Sequence, residues 1–386
     1  MSAAYSAHVI RDVDEALARW QAWTDTGAIA SVFQTPQWLA AWYATLGAQP
    51  GREALLVSVQ DRDGRLLMAL PLVRETHAGL VRIVFADLGV SDYAAPLWTH
   101  DCPTDASELR AMFAVVRRAL PSADLWTIEK MPEQVNGHAN PLLHWPGTRE
   151  SELFGNPAEV GEDFEQWRFS REKTHRKELE RSWRVFTRHE QARFEQLTQV
   201  DEAMRVMDAL EALQRKAIAG KGWAYILDEP GYREFYRRLI EQGLAGGEVV
   251  LTALKVGDEV VAALLGLRRG RDYAMIRIGN AGGEWRNCSP GRLIIERSMA
   301  HLHADGVRRF DFTIGDYAYK RGFMPDKLAL FDSTVALSWK GLPRSGRSAL
   351  RYRLKRWLKA HPDLHRRLSA LRSRGSARSD DRAAKA

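Results

Sequence analysis

Residues 289–323 read SPGRLIIERSMAHLHADGVRRFDFTIGDYAYKRGF, and the order of elements inside that stretch decides the fold. Ser289 is placed as an N-cap, its hydroxyl able to accept from a first-turn backbone N–H. Pro290 follows at the first helical position, where a missing donor costs nothing. Ile295, Met299 and Leu302 then recur on one helical face, and Gly306 stands where a helix ends. Val307 to Ile314 alternates like a strand: Phe310, Phe312 and Ile314 on one side, Asp311 and Thr313 on the other. Gly315 closes it, and Asp316, Tyr317, Tyr319 and Lys320 crowd the exit. A turn of small residues opening a helix is a natural anion site, because first-turn N–H groups and the helix dipole both favour negative charge. Polar groups leaving the next strand would place chemistry beside it.

One turn upstream, Arg286-Asn287-Cys288-Ser289-Pro290-Gly291-Arg292 resembles the pyrophosphate loop of GNAT acyltransferases, Q/R-x-x-G-x-G/A, with Ser289 at the middle glycine. The surrounding SPG, the FDF strand with its glycine and the Tyr-Lys pair resemble the CelD-type branch, the BioF-like acetyltransferase domain. The resemblance covers most of residues 31–340. It implies acetyl-CoA or another acyl-CoA as co-substrate, held by Arg286, Ser289, Gly291 and Arg292. The pantetheine arm would run along the strand Arg271 to Ile278, whose backbone N–H would serve the oxyanion. Tyr319 falls where many members carry the acid for the leaving thiolate. Asp311 is a base, an orienter or a buried partner for an arginine; Asp316 and Lys320 are catalytic groups or loop caps.

The first half carries Ser91-Asp92-Tyr93, which resembles the family's loop facing a shared cleft, so Asp92 and Tyr93 are acceptor-side candidates; the local alternative is an Asx-turn. Lys173, Arg176 and Lys177 lie at i, i+3 and i+4, a cationic face for a phosphorylated acceptor or simply a solvated one.

Taken in order, residues 5–25 read as a helix or helical arm. A second helix starts at Thr35-Pro36 and ends at Gly47. Ala54–Val59 and Leu66–Val73 form a hairpin, Leu80–Phe85 a strand, Ser107–Leu120 a helix and Leu125–Lys130 a further strand. Residues 163–220 are charged and helix-forming, with no strand signal before Trp223–Leu227. Helix 231–242, a hairpin from Glu248 to Leu267 and the strand 271–278 lead into the opening motif, and Leu328–Ser338 supplies a last strand.

The halves match: EALLVSVQDRDGRLLMALPLVRE from Glu53 aligns with EVVLTALKVGDEVVAALLGLRRG from Glu248, in the same place between helix and third strand. The expected fold is therefore α/β (α+β), two tandem GNAT-like domains with mixed central sheets flanked by helices, as in FemABX-type transferases. The boundaries read as 1–160 for a degenerate acceptor-side domain, 161–222 for a charged helical connector, 223–340 for the acyl-CoA domain and 341–386 for a basic tail. In the first half the loop position is His100-Asp101-Cys102-Pro103-Thr104-Asp105, acidic and without glycine, so one donor site is expected.

Charge and cysteine content narrow the class. The net charge of +7 resides in the tail: residues 340–386 hold 15 Lys/Arg against 3 Asp/Glu, leaving residues 1–339 at −5. That argues against a nucleic-acid-binding body. Two isolated cysteines point to a reducing compartment and away from disulfides or zinc. No apolar run reaches membrane-span length, and no signal peptide is visible. The expectation is a cytoplasmic, metal-free enzyme transferring an acyl group directly to an amine or hydroxyl of a small-molecule or sugar acceptor in envelope or exopolysaccharide metabolism. The tail, residues 344–374, would reach an anionic membrane at the inner face. Two alternatives stand: a FemABX-like transferase using aminoacyl-tRNA, the one case implying nucleic acid, and an inactive accessory protein of a polysaccharide synthase.

Overall fold

The computed structural model describes residues 4–219 and 225–360. Two sheets organise it. The first runs, by strand, Ser6–Ile10, Arg52–Gln60, Leu66–His77, Leu80–Phe85, Leu125–Pro132, Leu328–Ala336 and Thr148–Gly155, with the short Leu97–Trp98 pairing beside Leu66–His77. The second runs Pro157–Glu159, Arg309–Asp311, Asp272–Asn280, Glu259–Arg269, Val249–Val256 and Ala192–Gln196.

Read from their edges, the sheets repeat one plan. Each has an edge strand, a long antiparallel hairpin, a third strand and then a parallel neighbour joined by only three residue pairs. The hairpin alignment from Glu53 and Glu248 is thus a structural repeat. The next position in each sheet is filled from the other half. Leu328–Ala336 enters the first sheet against Leu125–Pro132, and Pro157–Glu159 enters the second against Arg309–Asp311. This corrects the expectation that Leu328–Ser338 completes the second domain. Strand periodicity says a segment is extended and half-buried, but not which sheet it joins.

Three local expectations also change. Ser6–Ile10 is a strand, and the helix starts later, at Val13, where the Asp12 carboxylate accepts from Glu15 N at 2.8 Å. Within residues 163–220 a strand, Ala192–Gln196, edges the second sheet, and helix Val200–Ala219 packs on that sheet, so these residues are more than a connector. Ile226–Asp228 is a 3₁₀ turn where a strand was expected, and Trp223 lies outside the described residues. Ser6–Ile10 and Ala192–Gln196 are short edge strands, with little apolar alternation to reveal them, and Thr148–Gly155 and Pro157–Glu159, in what reads as a connecting region, also lie at sheet edges.

The halves share a core. Helix Pro36–Ala44, capped by Thr35 as expected, packs on helix Tyr232–Gly243, with Trp38 edge-on to Phe235 at 4.7 Å. Arg269 reaches from the second sheet to the carbonyl of Ala28 at 2.9 Å. One apolar cluster runs from Trp20 and Trp42 through Leu251 and Leu265 to Leu330.

Candidate active site

The short parallel pairing opens the site. Asp272, Tyr273 and Ala274 pair with Arg309, Phe310 and Asp311, and the strands then part. A bulge at Ile276 adds to the divergence, since Leu265 faces Arg277 while Gly266 faces Met275. Ala281 N donates to Val261 O at 2.8 Å, which fixes the alternation along the ladder. Residues 277, 279 and 281 address the hairpin; Ile278 and Asn280 turn their backbone groups to the open edge. Accordingly the Ile278 carbonyl accepts from Gln214 Nε2 at 2.9 Å, and its N–H points to the same edge.

On one side of this edge lies a cleft of about 560 Å³ lined by Ile278, Asn280, Ala281, Gly282, Arg286, Ser289, Pro290, Gly291, Arg292, Ala318 and Tyr319. All five residues expected to hold the cofactor line it, together with Tyr319. The helix Pro290–Ala304 begins there, but Ser289 does not cap it as expected. Its backbone is left-handed, φ 46°, and its hydroxyl makes no bond to a first-turn N–H; it accepts from Arg292 Nη2 at 3.2 Å. A left-handed residue here is why the family's glycine belongs at this position. Arg292 also pairs with Glu178 at 2.8 Å, tying the loop to helix Lys173–Phe186. At Gly291 a Cβ would lie 2.7 Å from Asn280 Oδ1, so a side chain would crowd the cleft wall.

The first half shows what an occupied counterpart looks like. There Asp105 caps helix Ala106–Ala119, its carboxylate accepting from Ser107 N at 2.8 Å and Glu108 N at 3.2 Å. An anion is already built into that helix start. The gap beyond Leu80–Phe85 is crossed by the chain's own segment 87–93, held by Lys130, which pairs with Asp87 at 2.7 Å and donates to Ser91 O.

Segment 87–93 delivers Asp92 and Tyr93 to the second half. The Tyr93 hydroxyl donates to the Asp311 carboxylate, 3.0 and 2.9 Å from its two oxygens. Asp311 also accepts from Thr313 N at 2.7 Å and is only 5% exposed, with Arg309 exerting the strongest opposing charge. Burial raises its pKa. The structure thus favours its expected alternative as a buried partner, joining the halves away from the cleft. Thr313, at φ 57°, breaks the alternation expected through Ile314, and the strand stops at Asp311.

Lys320 is 3% exposed and spans this broken strand end, Nζ donating to Phe312 O at 2.6 Å, Thr313 O at 3.2 Å and Ile314 O at 2.7 Å. Burial depresses its pKa to about 8 against the pull of Asp92, Asp311 and Asp316. It fixes the backbone carrying Tyr319. Asp316 faces solvent, paired with Arg321 at 3.3 Å, which is a loop contact. Tyr319 stacks on Tyr317 at 5.8 Å, and burial raises its pKa.

Asp92 is the carboxylate closest in influence to this cluster. Its charge acts on Tyr319, Lys320 and Tyr236. Burial pushes its pKa up to about 6, with the Thr313 hydroxyl and Lys130 pulling the other way. Lys173 and Arg176 stand apart from the cleft. Lys173 is exposed, and Arg176 lies over the Phe169 ring at 4.4 Å and donates to Phe169 O.

A second hollow of about 440 Å³ is lined in part by Gln214, Tyr225, Tyr236 and Arg277, and shares Ile278 and Asn280 with the first. Arg277 is 7% exposed, bonded to Gln214 Oε1 at 3.1 Å and to the Tyr225 hydroxyl at 2.7 Å. Sequence reasoning missed these residues. They come from separated helices and strands, and only the fold assembles them. Among the described residues no group of three or more His, Cys, Asp or Glu is placed to hold a metal.

The geometry is that of a GNAT acetyltransferase domain, and residues 173–321 match the family described as "Acetyltransferase (GNAT) domain". The crystal structure of FemX superposes with a TM-score of 0.57 at 12% identity, covering 85% of this chain and 96% of that one. The DUF2156 C-terminal domain of a protein assigned as a lysylphosphatidylglycerol synthetase from Agrobacterium fabrum gives 0.53 at 11%, covering 84% and 92%. A conserved protein of unknown function from Bacteroides thetaiotaomicron gives 0.52 at 10%, covering 85% and 99%. No curated protein matches the sequence. Residues 173–321 match a GNAT domain, and the chain as a whole shares the fold of FemX.

Proposed function

We propose that the protein is an acyl-CoA-dependent acyltransferase acting on an amine or hydroxyl acceptor by direct attack. One observation carries this reading: Arg286, Ser289, Gly291, Arg292, Ile278 and Tyr319 share one cleft at a helix start that no side chain caps. The Gly291 N–H and the Arg292 side chain would take the pyrophosphate, and the thioester would lie along the open strand edge. Ile278 N–H would donate to the oxyanion as the acceptor attacks the thioester carbonyl. The acceptor would approach from the Tyr236–Arg277 hollow and give its proton to Asp92. Tyr319 would return a proton to the departing thiolate. An amine, amino-sugar or sugar hydroxyl suits a hollow that mixes aromatic walls with amide and guanidinium groups.

Calorimetry with CoA and acetyl-CoA tests the donor. Wild-type protein should bind both, and Gly291→Val should lose binding while its circular dichroism and melting stay those of wild type. Equal affinity in the variant removes this cleft as the donor site. Absence of CoA binding in the wild type returns the donor to the aminoacyl-tRNA alternative.

A further inference from the structure

Helix Leu342–Ala360 packs against the first sheet in an unusual sense. Among its described side chains, those turned inward are small or polar. Ser345 Oγ donates to Thr334 O at 3.2 Å, Ser348 accepts from Arg149, and Tyr352 lies 5.6 Å under the Arg149 guanidinium. Among its described side chains the large apolar ones point out: Leu342 is 61% exposed and Leu350 67%, and Trp339, in the turn just before, is 76% exposed. At 100° per residue Leu342 and Leu350 share one outer face. Arg344, Arg347 and Arg351 form an adjacent exposed row, with Lys340 and Arg353 exposed as well.

The turn that aims the helix is fixed. Ser338 Oγ donates to Asp124 Oδ1 at 2.5 Å, and a Cβ on Gly341 would lie 2.0 Å from Asp124 O, so only glycine fits. The outward apolar face is therefore held in place by the fold. Apolar side chains flanked by a row of arginines are complementary to one environment in particular, the boundary of a bilayer with anionic headgroups. Residues 361–386, outside the described residues, add seven Lys/Arg against three Asp/Glu.

We propose that the face carrying Trp339, Leu342 and Leu350, with its arginine row, docks this protein on an anionic lipid bilayer, the helix lying in the plane of the interface. The helix does not span: among the described residues none is long and apolar enough to cross a membrane. Apolar insertion and headgroup attraction are separable contributions, which gives the test its two arms.

The experiment is flotation of the full chain with vesicles of phosphatidylcholine alone or mixed equally with phosphatidylglycerol, at low and at physiological salt. Binding should require phosphatidylglycerol. Replacing Arg344, Arg347 and Arg351 together by Gln should weaken it by roughly 10²-fold at low salt, each cation contributing about fivefold. The triple variant Trp339→Ser, Leu342→Ser, Leu350→Ser keeps every charge and every inward contact, and should lose at least about tenfold at both salt concentrations. Single variants at the same three positions should give graded losses, which separates lost docking from a misfolded helix. Failure of the full chain to float with phosphatidylglycerol vesicles at low salt overturns the proposal. So does unchanged binding in the serine variant, which would leave only charge attraction to any polyanion. Sedimentation showing a lipid-independent dimer that the serine variant dissolves would assign the face to a second copy of the chain instead.

Discussion

Tyr319 and Asp92 come from opposite halves, and their environments suit different proton tasks. Burial raises the Tyr319 pKa, which keeps the phenol protonated and able to donate. Tyr319→Phe should keep CoA affinity and lose about 10²–10⁴-fold in kcat, read as acceptor-dependent thiol release. Unchanged turnover would move the acid elsewhere. Asp92, pushed up to about 6, changes charge inside an accessible window. As the base it must be ionised, so kcat/KM should rise with pH around a midpoint near 6, and Asp92→Asn should erase that limb. Stability runs the other way. Between roughly pH 4 and 6 the folded protein keeps a proton that the unfolded chain has released, so the Asp92 contribution falls as pH rises through that interval. A melting-temperature series over this window in wild type and Asp92→Asn should show the difference. The loop that lines the cleft was legible because it is contiguous: Arg286 to Arg292 carry charge, turn and close approach within seven residues. Asp311 stayed open between base, orienter and buried partner because an alternating strand places a carboxylate on a face without saying whether that face meets solvent or Tyr93.

At the level of elements, the hairpins and helices with caps or clear apolar periods were readable. Thr35 at the start of Pro36–Ala44 is an instance, its hydroxyl accepting from Trp38 N as the sequence implied. Ser6–Ile10 and Ala192–Gln196 were not readable, since each is half-exposed and pairs on one side only. The crossing of Leu328–Ala336 was invisible for a different reason. Its partners, Leu125–Pro132 and Thr148–Gly155, lie about two hundred residues away in sequence, and local pattern carries no address. Leu330 on that strand is fully buried in the shared core. Leu330→Ala should therefore cost about 2–5 kcal/mol in chemical denaturation and loosen the first sheet, even though the residue belongs by sequence to the second half. Loss of amide-exchange protection confined to the second sheet would contradict the exchanged-strand arrangement.

Across the whole molecule, duplication has produced asymmetry. Both sheets part beyond three parallel pairs, but in the first half the gap and the helix start are filled from within, by segment 87–93 and Asp105. In the second both stay open and face a cleft. One half has become a fixed wall whose segment 87–93 reaches the other through the Tyr93–Asp311 contact. The expected boundary at residue 160 falls between the two exchanged strands rather than between independent units, because Pro157–Glu159 is already in the second sheet.

The exchange also imposes an order in time. During synthesis the strand Thr148–Gly155 emerges with no partner in its sheet, since its only neighbour there, Leu328–Ala336, is made some 170 residues later. At roughly 5–20 residues per second, that is an interval of about ten to thirty-five seconds. Through it, Leu125–Pro132 presents a bare edge of the kind that recruits other chains. Until Leu328–Ala336 is made, the nascent N-terminal half therefore carries a sheet that its own chain has yet to close.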